Sequence, residues 1–174
     1  MGRNPEEERM SKSEEYMKEA FAGESQANRK YLAFAEVAEE EGYSQVARLF
    51  RAAAEAETVH AHNHLRALKG IRSTRENLEE AIAGETHEFT HMYPEMIEAA
   101  KKEGQREALQ SFNYANEVEK VHGRLFENAL STLGEKCETY VYYVCPVCGF
   151  TSEMDAPSTC PVCGTPGRMF KKIG

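Results

Sequence analysis

The chain lacks a long basic run, a long apolar run, and any cysteine before residue 137. Its 174 residues carry 29 acidic against 21 basic side chains, a net charge of −8, so a nucleic-acid partner is not expected. A helix that crosses a bilayer needs roughly 18 to 20 consecutive apolar residues, and no such stretch exists. The opening residues, Met1-Gly2-Arg3-Asn4 followed by glutamates, have no apolar core of the secretory-signal kind. These absences point to a cytoplasmic protein with no membrane contact. The scarcity of cysteine argues against a disulfide scaffold. There are five, and four of them form two Cys-x-x-Cys pairs, which suits thiolate metal ligation in a reducing compartment.

What is present reads as mainly helical. With 41% hydrophobic residues the chain can support one substantial domain and a small one. Residues 1–12 are charged and aperiodic and are expected to form a flexible tail. A first helix is predicted from about Ser13 to Glu41, where Phe21, Tyr31, Phe34, Ala35 and Ala38 recur at helical spacing and Gly42 stops the pattern. A second runs from about Ser44 to Leu68. The third should begin near Thr74, whose hydroxyl can cap it, and the fourth covers roughly Arg106 to Leu133, with Gly104 and Gly134 marking the ends of these two. Pro94 deletes a backbone hydrogen bond inside the third helix and should bend or widen it one to two turns beyond Glu85 and Glu88. After a linker at 135–138 the texture changes. Tyr140-Val141-Tyr142-Tyr143-Val144 is β-prone, and prolines and glycines follow it. The expected division is therefore a four-helix domain over 13–134 and a small β-rich domain over 139–174.

Two stretches of the helical part repeat each other at a spacing of 61 to 62 residues. Gly23-Glu24 corresponds to Gly84-Glu85, and the segment Phe50 to His60 shares six identities over eleven positions with Phe112 to His122. Each copy supplies one glutamate after a glycine and one Glu-x-x-His, namely Glu57 with His60 and Glu119 with His122. That is the ligand set of a carboxylate-bridged dinuclear metal site between four helices. Both pairs fall on the apolar seams of their helices: Val46, Phe50, Ala53, Glu57, His60 and His64 on one, Phe112, Ala115, Glu119, His122 and Phe126 on the other. A carboxylate facing a core costs several kcal/mol unless a cation or hydrogen bonds compensate it. A third pair, Glu88-x-x-His91, has no counterpart in the first copy and shows that the bare motif is weak. His62, His64, His87 and His91 are expected to be ordinary helix-surface histidines. Gly23 and Gly84 each precede a proposed ligand inside a helix, where glycine costs about 1 kcal/mol relative to alanine. They should permit close helix approach or leave room for a small molecule. Tyr31 and Tyr93 follow the two lone glutamates by seven and eight residues and can offer phenols to the site.

Cys145-Pro-Val-Cys148-Gly149 and Cys160-Pro-Val-Cys163-Gly164 enclose eleven residues. Two such knuckles bring four thiolates into a tetrahedron, with each glycine freeing a backbone N–H to point at sulfur. The pattern suits zinc and a single iron alike. A one-electron carrier fused to a dinuclear site makes functional sense, whereas a structural zinc would leave the helical domain without a donor. Cys137 stands outside the knuckles and is expected to be a free thiol.

The succession Gly-Glu-Ser-Gln, Glu-x-x-His, Gly-Glu-Thr-His-Glu with Met92-Tyr93-Pro94, a second Glu-x-x-His and a C-terminal four-cysteine module resembles the rubrerythrin family over nearly the whole chain. The resemblance implies a ferritin-like four-helix di-iron bundle followed by a rubredoxin-like domain with one iron on four cysteines. It implies a peroxidase that reduces hydrogen peroxide to water in oxidative stress protection, fed with electrons by a reductase or rubredoxin and ultimately NADH-linked. Carried over residue by residue, the di-iron ligands would be Glu24, Glu57, His60, Glu85, Glu88, Glu119 and His122, with Glu88 and His60 exchanging at one iron as the pair is reduced. The single iron would sit on Cys145, Cys148, Cys160 and Cys163. Iron and manganese both suit the carboxylate site on chemistry alone.

In a ferritin-like bundle the second and third helices run parallel, so the chain between them must climb back. The eight residues from Lys69 to Glu76 would cover about 24 Å of rise and roughly 8 to 10 Å sideways, yet reach only about 26 to 29 Å when fully stretched. A helix-swapped homodimer is therefore predicted, the first two helices of one chain completing a bundle with the last two of another. An up-down-up-down hairpin would satisfy the linker but depart from the family topology. Two other functions compete with the peroxidase: a ferroxidase or iron-handling protein of the ferritin kind, and a metal-binding bundle with a zinc ribbon for protein contacts.

Overall fold

The computed structural model describes residues 11–135 and 139–174. Most of the expected tail, and residues 136–138 of the linker with Cys137 among them, lie outside the described residues. The chain divides into two units, one ending at Arg72 and one beginning at Ser73.

The first unit is a helical hairpin of α1 (Lys12–Glu40) and α2 (Ser44–Ala67). Helix α1 opens earlier than its periodicity predicts. Ser11 is the N-cap, and its hydroxyl and the Glu14 side chain form a reciprocal capping box that satisfies two otherwise orphaned amides. Ser11 and Lys12 thus belong to the helix and its cap, not to the tail. Gly42, at φ +84°, makes the left-handed turn between the helices. The hairpin closes on small residues: Ala35 and Ala38 of α1 and Ala47, Ala54 and Ala61 of α2 are all buried. The alanines of α2 recur every seven residues and let the two backbones approach closely. Asn28 is the polar member of this interface, donating from Nδ2 to the Ala54 carbonyl (2.6 Å) and to Thr58 Oγ1 (2.8 Å). Those bonds satisfy an amide that burial would otherwise penalise. Tyr31, Phe34 and Phe50 form an aromatic group, with Phe34 and Phe50 edge-on at 5.6 Å.

The second unit begins with α3 (Thr74–His87), and here the capping residue is Ser73 rather than Thr74. Ser73 accepts from the Glu76 amide, and Glu76 reaches back to the Ser73 amide. The expected third helix is not uniform. It passes through a π turn at Glu88–Met92 before resuming as α4 (Tyr93–Glu103). Pro94 lies in the first turn of α4. Its missing N–H removes a rung of the α ladder, and the Tyr93 amide bonds instead to the Glu88 carbonyl, five residues back. The expectation of a bend or widening is met as a widening. Gly104, at φ +68°, ends α4, and α5 (Arg106–Ser131) follows. Gly123 of α5 is buried, and a Cβ there would lie 3.6 Å from the Phe89 ring and 3.7 Å from Glu85 Cβ, so its bare backbone sets how α3 packs against α5.

The C-terminal part of this unit is a three-stranded antiparallel sheet in the order β2-β1-β3, with β1 (Tyr142–Val144) between β2 (Thr151–Glu153) and β3 (Lys171–Ile173). Tyr143 faces Ser152 on one side and Lys172 on the other. The small core comprises Cys145, Cys160 and Phe170, with Phe150 packed edge-on against Phe170 at 6.4 Å. At Gly167 a side chain is impossible: a Cβ would lie 1.8 Å from the Pro157 carbonyl oxygen. This module rests on α5 of its own chain. Gly149 lies against Val118, with 3.7 Å between a would-be Cβ and Val118 Cγ1, and Val118 is 2% exposed.

Candidate metal centres

Three groups of metal-ligating side chains stand out among the described residues: Glu24, Glu57 and His60; Glu85, Glu119 and His122; and the four knuckle cysteines. Within each group one donor atom from every residue lies within 4.8 Å of the others. The duplicated motif thus folds into two matched half-sets, one in each unit.

In the first half-set, His60 Nδ1 stands 2.9 Å from Glu57 Oε2. Glu24 shares a hydrogen bond with Glu57, which raises the Glu24 pKa; the Glu57 pKa is lowered, first by its bond to His60 and then by Glu24. In the second, His122 Nδ1 lies 2.7 Å from Glu119 Oε2 and 3.9 Å from Glu85 Oε1. Its other nitrogen, Nε2, is 3.0 Å from Thr151 Oγ1. Because the Thr151 hydroxyl donates to the Gly149 carbonyl (3.1 Å), it accepts from His122 Nε2–H. Nδ1 is then the nitrogen on the carboxylate side that a metal would take, with Nε2 held by Thr151 in the orienting manner of metal-bound histidines. Sequence reasoning missed Thr151, since nothing at the sequence level places a residue of the sheet beside a helix ligand.

The ligand seams are not the most buried faces of these helices. His60 is exposed and Glu57 half-buried, whereas the alanine seam one position away is buried against α1. A hairpin covers only the stripe that faces its mate, and a carboxylate seam needs a second layer of helices to enclose it.

The second half-set carries the stronger electrostatic signature. Burial, the neighbouring Glu119 charge and a hydrogen bond with Glu119 push the Glu85 pKa up to about 7. The Glu119 hydrogen bond raises the His122 pKa against the opposing effect of burial. Carboxylates crowded until one prefers a proton are the arrangement that a bound cation relieves, so the donor set fits a metal. Glu85 in the unfolded chain titrates near 4.3, so the folded state holds the extra proton between that value and about 7. Its contribution to stability is full at low pH and is lost as pH rises through the folded pKa; the raised His122 pKa acts in the same direction. Chelator-treated protein should therefore melt at a lower temperature at about pH 8 than at about pH 5. Added metal should restore more stability at the higher pH, where its ligands are free of protons. Thermal unfolding with and without chelator checks this, and a melting temperature that climbs across that range would contradict it.

Glu88 is not among the three tightly convergent donors of its unit, but it is near enough that burial and then the Glu119 charge raise its pKa. Tyr93 faces the same carboxylates: burial, then Glu119, Glu88 and Glu85, push its phenol upward. Tyr31 belongs to the aromatic group with Phe34 and Phe50. His87 and His91 are exposed and stack on each other at 5.4 Å, with His91 Nδ1 held by Thr90 Oγ1 at 2.6 Å. The third Glu-x-x-His motif therefore does not converge as the other two do. At Gly23 and Gly84 an added Cβ would meet nothing within 4 Å among the described residues of its own chain. Open space beside each half-set is what they leave.

In the four-cysteine module, Cys145 and Cys163 sulfurs are 3.5 Å apart, as are those of Cys148 and Cys160, and no disulfide joins them. The backbone differs in one detail from expectation. Gly149 and Gly164, at φ +84° and +78°, each donate their own N–H to a cysteine carbonyl, Cys145 and Cys160 respectively, both at 3.0 Å. The amides that reach sulfur include those of the next residues, Phe150 to Cys148 and Thr165 to Cys163, and those of Val162 and Cys163 to Cys160. Burial pushes the Cys148 thiol up, whereas at Cys163 burial is outweighed by the Thr165 hydroxyl and amide, which bring it down to about 6. Buried sulfurs with convergent donors fit a tetrahedral metal.

The sequence profile of the rubrerythrin family matches residues 15–130, and that of the rubrerythrin rubredoxin-like domain matches residues 143–171. The chain is 36% identical over 173 residues to rubrerythrin-2 of Clostridium acetobutylicum, covering 90% of this chain and 94% of that one. It is 37% identical over 182 residues to rubrerythrin of Porphyromonas gingivalis, covering 94% and 90%. Its structure is similar to that of nigerythrin in the fully reduced, all-ferrous state, with a TM-score of 0.57, 31% identity, and 94% and 88% of the two chains covered.

Proposed function

The chain belongs to the rubrerythrin family, with a ferritin-like helical domain and a rubredoxin-like domain that provide iron sites, and on that premise we propose that it is a non-haem di-iron peroxidase. It would reduce hydrogen peroxide to water with electrons relayed through the four-cysteine iron. The half-sets Glu24, Glu57, His60 and Glu85, Glu119, His122, together with Glu88, would hold the iron pair, and Cys145, Cys148, Cys160 and Cys163 the single iron. An iron pair held there would supply the two electrons that a peroxide takes up, one from each ion. Overall, hydrogen peroxide, two electrons and two protons give two waters.

The protein's own residues divide the remaining work. Thr151 orients His122 through the bond at Nε2 described above, which leaves Nδ1 on the carboxylate side for a metal. Tyr93, neutral because its phenol is pushed upward, can donate a hydrogen bond toward the carboxylate side of the site. Tyr31 would do the same from the first unit.

The observation that supports the relay most strongly is the hydrogen bond from His122 to Thr151. It ties a proposed ligand of the iron pair to the strand that follows the first cysteine knuckle, within one unit of one chain. A storage protein has no use for such a tether to a redox module. The donor that refills the four-cysteine iron would be a separate reductase or rubredoxin, NADH-linked, in the cytoplasm. No helix among the described residues is long and apolar enough to cross a membrane.

The functional unit would be a homodimer in which the two half-sets of one site come from different chains. The helix-to-helix connection, Leu68–Ser73, is even shorter than the segment expected from sequence. At six residues it spans only about 20 to 22 Å, against the roughly 27 Å climb that a parallel α3 starting at Thr74 would require.

The decisive test is to mix anaerobically reduced protein with hydrogen peroxide and follow the iron absorbance. Rapid oxidation of the di-iron site, then slower oxidation of the four-cysteine centre, is the expected result. A site that stays reduced, or one that instead keeps consuming ferrous ions with dioxygen, would favour the iron-handling alternative. Glu88→Ala should retain most of its iron by metal analysis. It should nonetheless lose at least the roughly 10- to 100-fold in turnover that disturbing a metal's surroundings typically costs.

A further inference from the structure

The two cysteine knuckles are internal copies. Cys145-Pro-Val-Cys148-Gly149-Phe150 and Cys160-Pro-Val-Cys163-Gly164-Thr165 are identical through five positions and part at the sixth. Their backbones match as well: the Cys145 amide donates to the Phe150 carbonyl at 2.9 Å, and the Cys160 amide to the Thr165 carbonyl at 2.8 Å. Phe150 and Thr165 also give their amides to the sulfurs of Cys148 and Cys163 in the same way. Only Thr165 adds a side-chain donor. Its Oγ1 lies 3.1 Å from Cys163 Sγ, and the residue is 8% exposed. A metal-bound thiolate has no proton to give, so in the loaded module the hydroxyl is the donor.

We propose that Thr165 is a positioning residue whose hydroxyl sets the reduction potential of the four-cysteine iron, raising it so that the centre rests in the electron-loaded state. The reduced centre carries one more negative charge than the oxidised one, and the sulfurs bear part of it. A hydroxyl hydrogen bond to one sulfur therefore stabilises the reduced form more. Burial strengthens the effect, because little water is present to screen it. Phe150, at the equivalent place in the other knuckle, contributes no such bond, so the two halves of one tetrahedron are electronically unequal. This inference rests on the proposed role of the module as a one-electron carrier, but its test reads that centre alone.

The experiment uses the full-length, iron-loaded protein without peroxide. Thr165→Val keeps the branched shape and the backbone amide while replacing the hydroxyl by a methyl group. In a spectroelectrochemical titration at the wild-type midpoint, its ratio of reduced to oxidised centre should fall about tenfold, equivalent to 59 mV for a one-electron couple. The sulfur-to-iron charge-transfer absorption should shift with it, and Thr165→Ser should return both readings toward wild type. An iron-loaded Thr165→Val protein that titrates at the wild-type midpoint would overturn the proposal. So would a Thr165→Ser protein as low as the valine variant, since packing of the methyl group would then be the cause. Should the valine variant fail to take up iron, Thr165→Ala against Thr165→Ser gives the same comparison, with equal midpoints as the overturning result. A peroxidase assay that fails has no bearing on these readings.

Discussion

A Glu57→Ala chain coexpressed with a Glu119→Ala chain should regain about half the wild-type peroxidase rate in the purified heterodimer, although either variant alone is inactive. The expectation follows from the division of ligands. Glu57 lies in the unit ending at Arg72 and Glu119 in the unit beginning at Ser73. If each iron pair is bound by the first unit of one chain and the second unit of the other, both lesions fall into the same site. The other site is then wholly intact. If each chain builds its own site, both sites carry one lesion and no activity returns. Differential tags isolate the heterodimer, and metal analysis should find one loaded di-iron site where wild type has two. Background activity in a folded heterodimer, or a compact monomer with a complete site, would refute the swap. The large contrast arises because either substitution would remove one of the few carboxylate ligands available to the iron pair.

Cys160→Ser should separate the two half-reactions. Cys160 is 3% exposed, and its sulfur belongs to the core on which Phe170 packs. Serine there presents a harder, smaller donor that does not suit thiolate-loving iron. Protein reduced chemically beforehand should consume one peroxide per di-iron site in a burst and then stop, because no internal carrier refills it. Steady-state turnover with a reductase should drop to background. A small mediator dye that reduces the di-iron site directly should revive turnover, which distinguishes a lost relay from a collapsed site. Sustained reductase-driven turnover in the serine variant would show that electrons bypass the module. Cys148→Ser, at a less buried sulfur, repeats the test with less disturbance of the core.

Much of this was legible in the sequence because the chemistry is carried by spacing. Glu57 with His60, Glu119 with His122 and the two knuckles are local motifs on regular elements, so their convergence follows from helix and turn geometry. Helix α3 starts at Thr74 as expected, but its cap is Ser73, since Ser73 and Thr74 are both capable caps and only the reciprocal bond to Glu76 chooses between them. Thr151 escaped notice because its partner, His122, is distant in sequence and reached only by packing of the sheet on α5. The most buried seam of α2 was likewise hidden, because alanines carry little hydrophobic signal yet are what permits a tight hairpin.

The π turn explains why the repeat has two spacings. Glu24 and Glu85 are 61 residues apart, but Tyr31 and Tyr93, and every paired ligand after them, are 62 apart. The offset slips between Glu85 and Tyr93, and Glu88–Met92 is the stretch where one surplus residue is absorbed by widening the helix. Register is thus kept on both sides of the surplus residue, with Glu85 and Tyr93 both near Glu119. Counting back by the earlier spacing, Glu88 corresponds to Ala27. The surplus residue and the carboxylate thus fall together in the second half alone, where Glu88 opens the π turn and the first half has alanine in an unbroken α1.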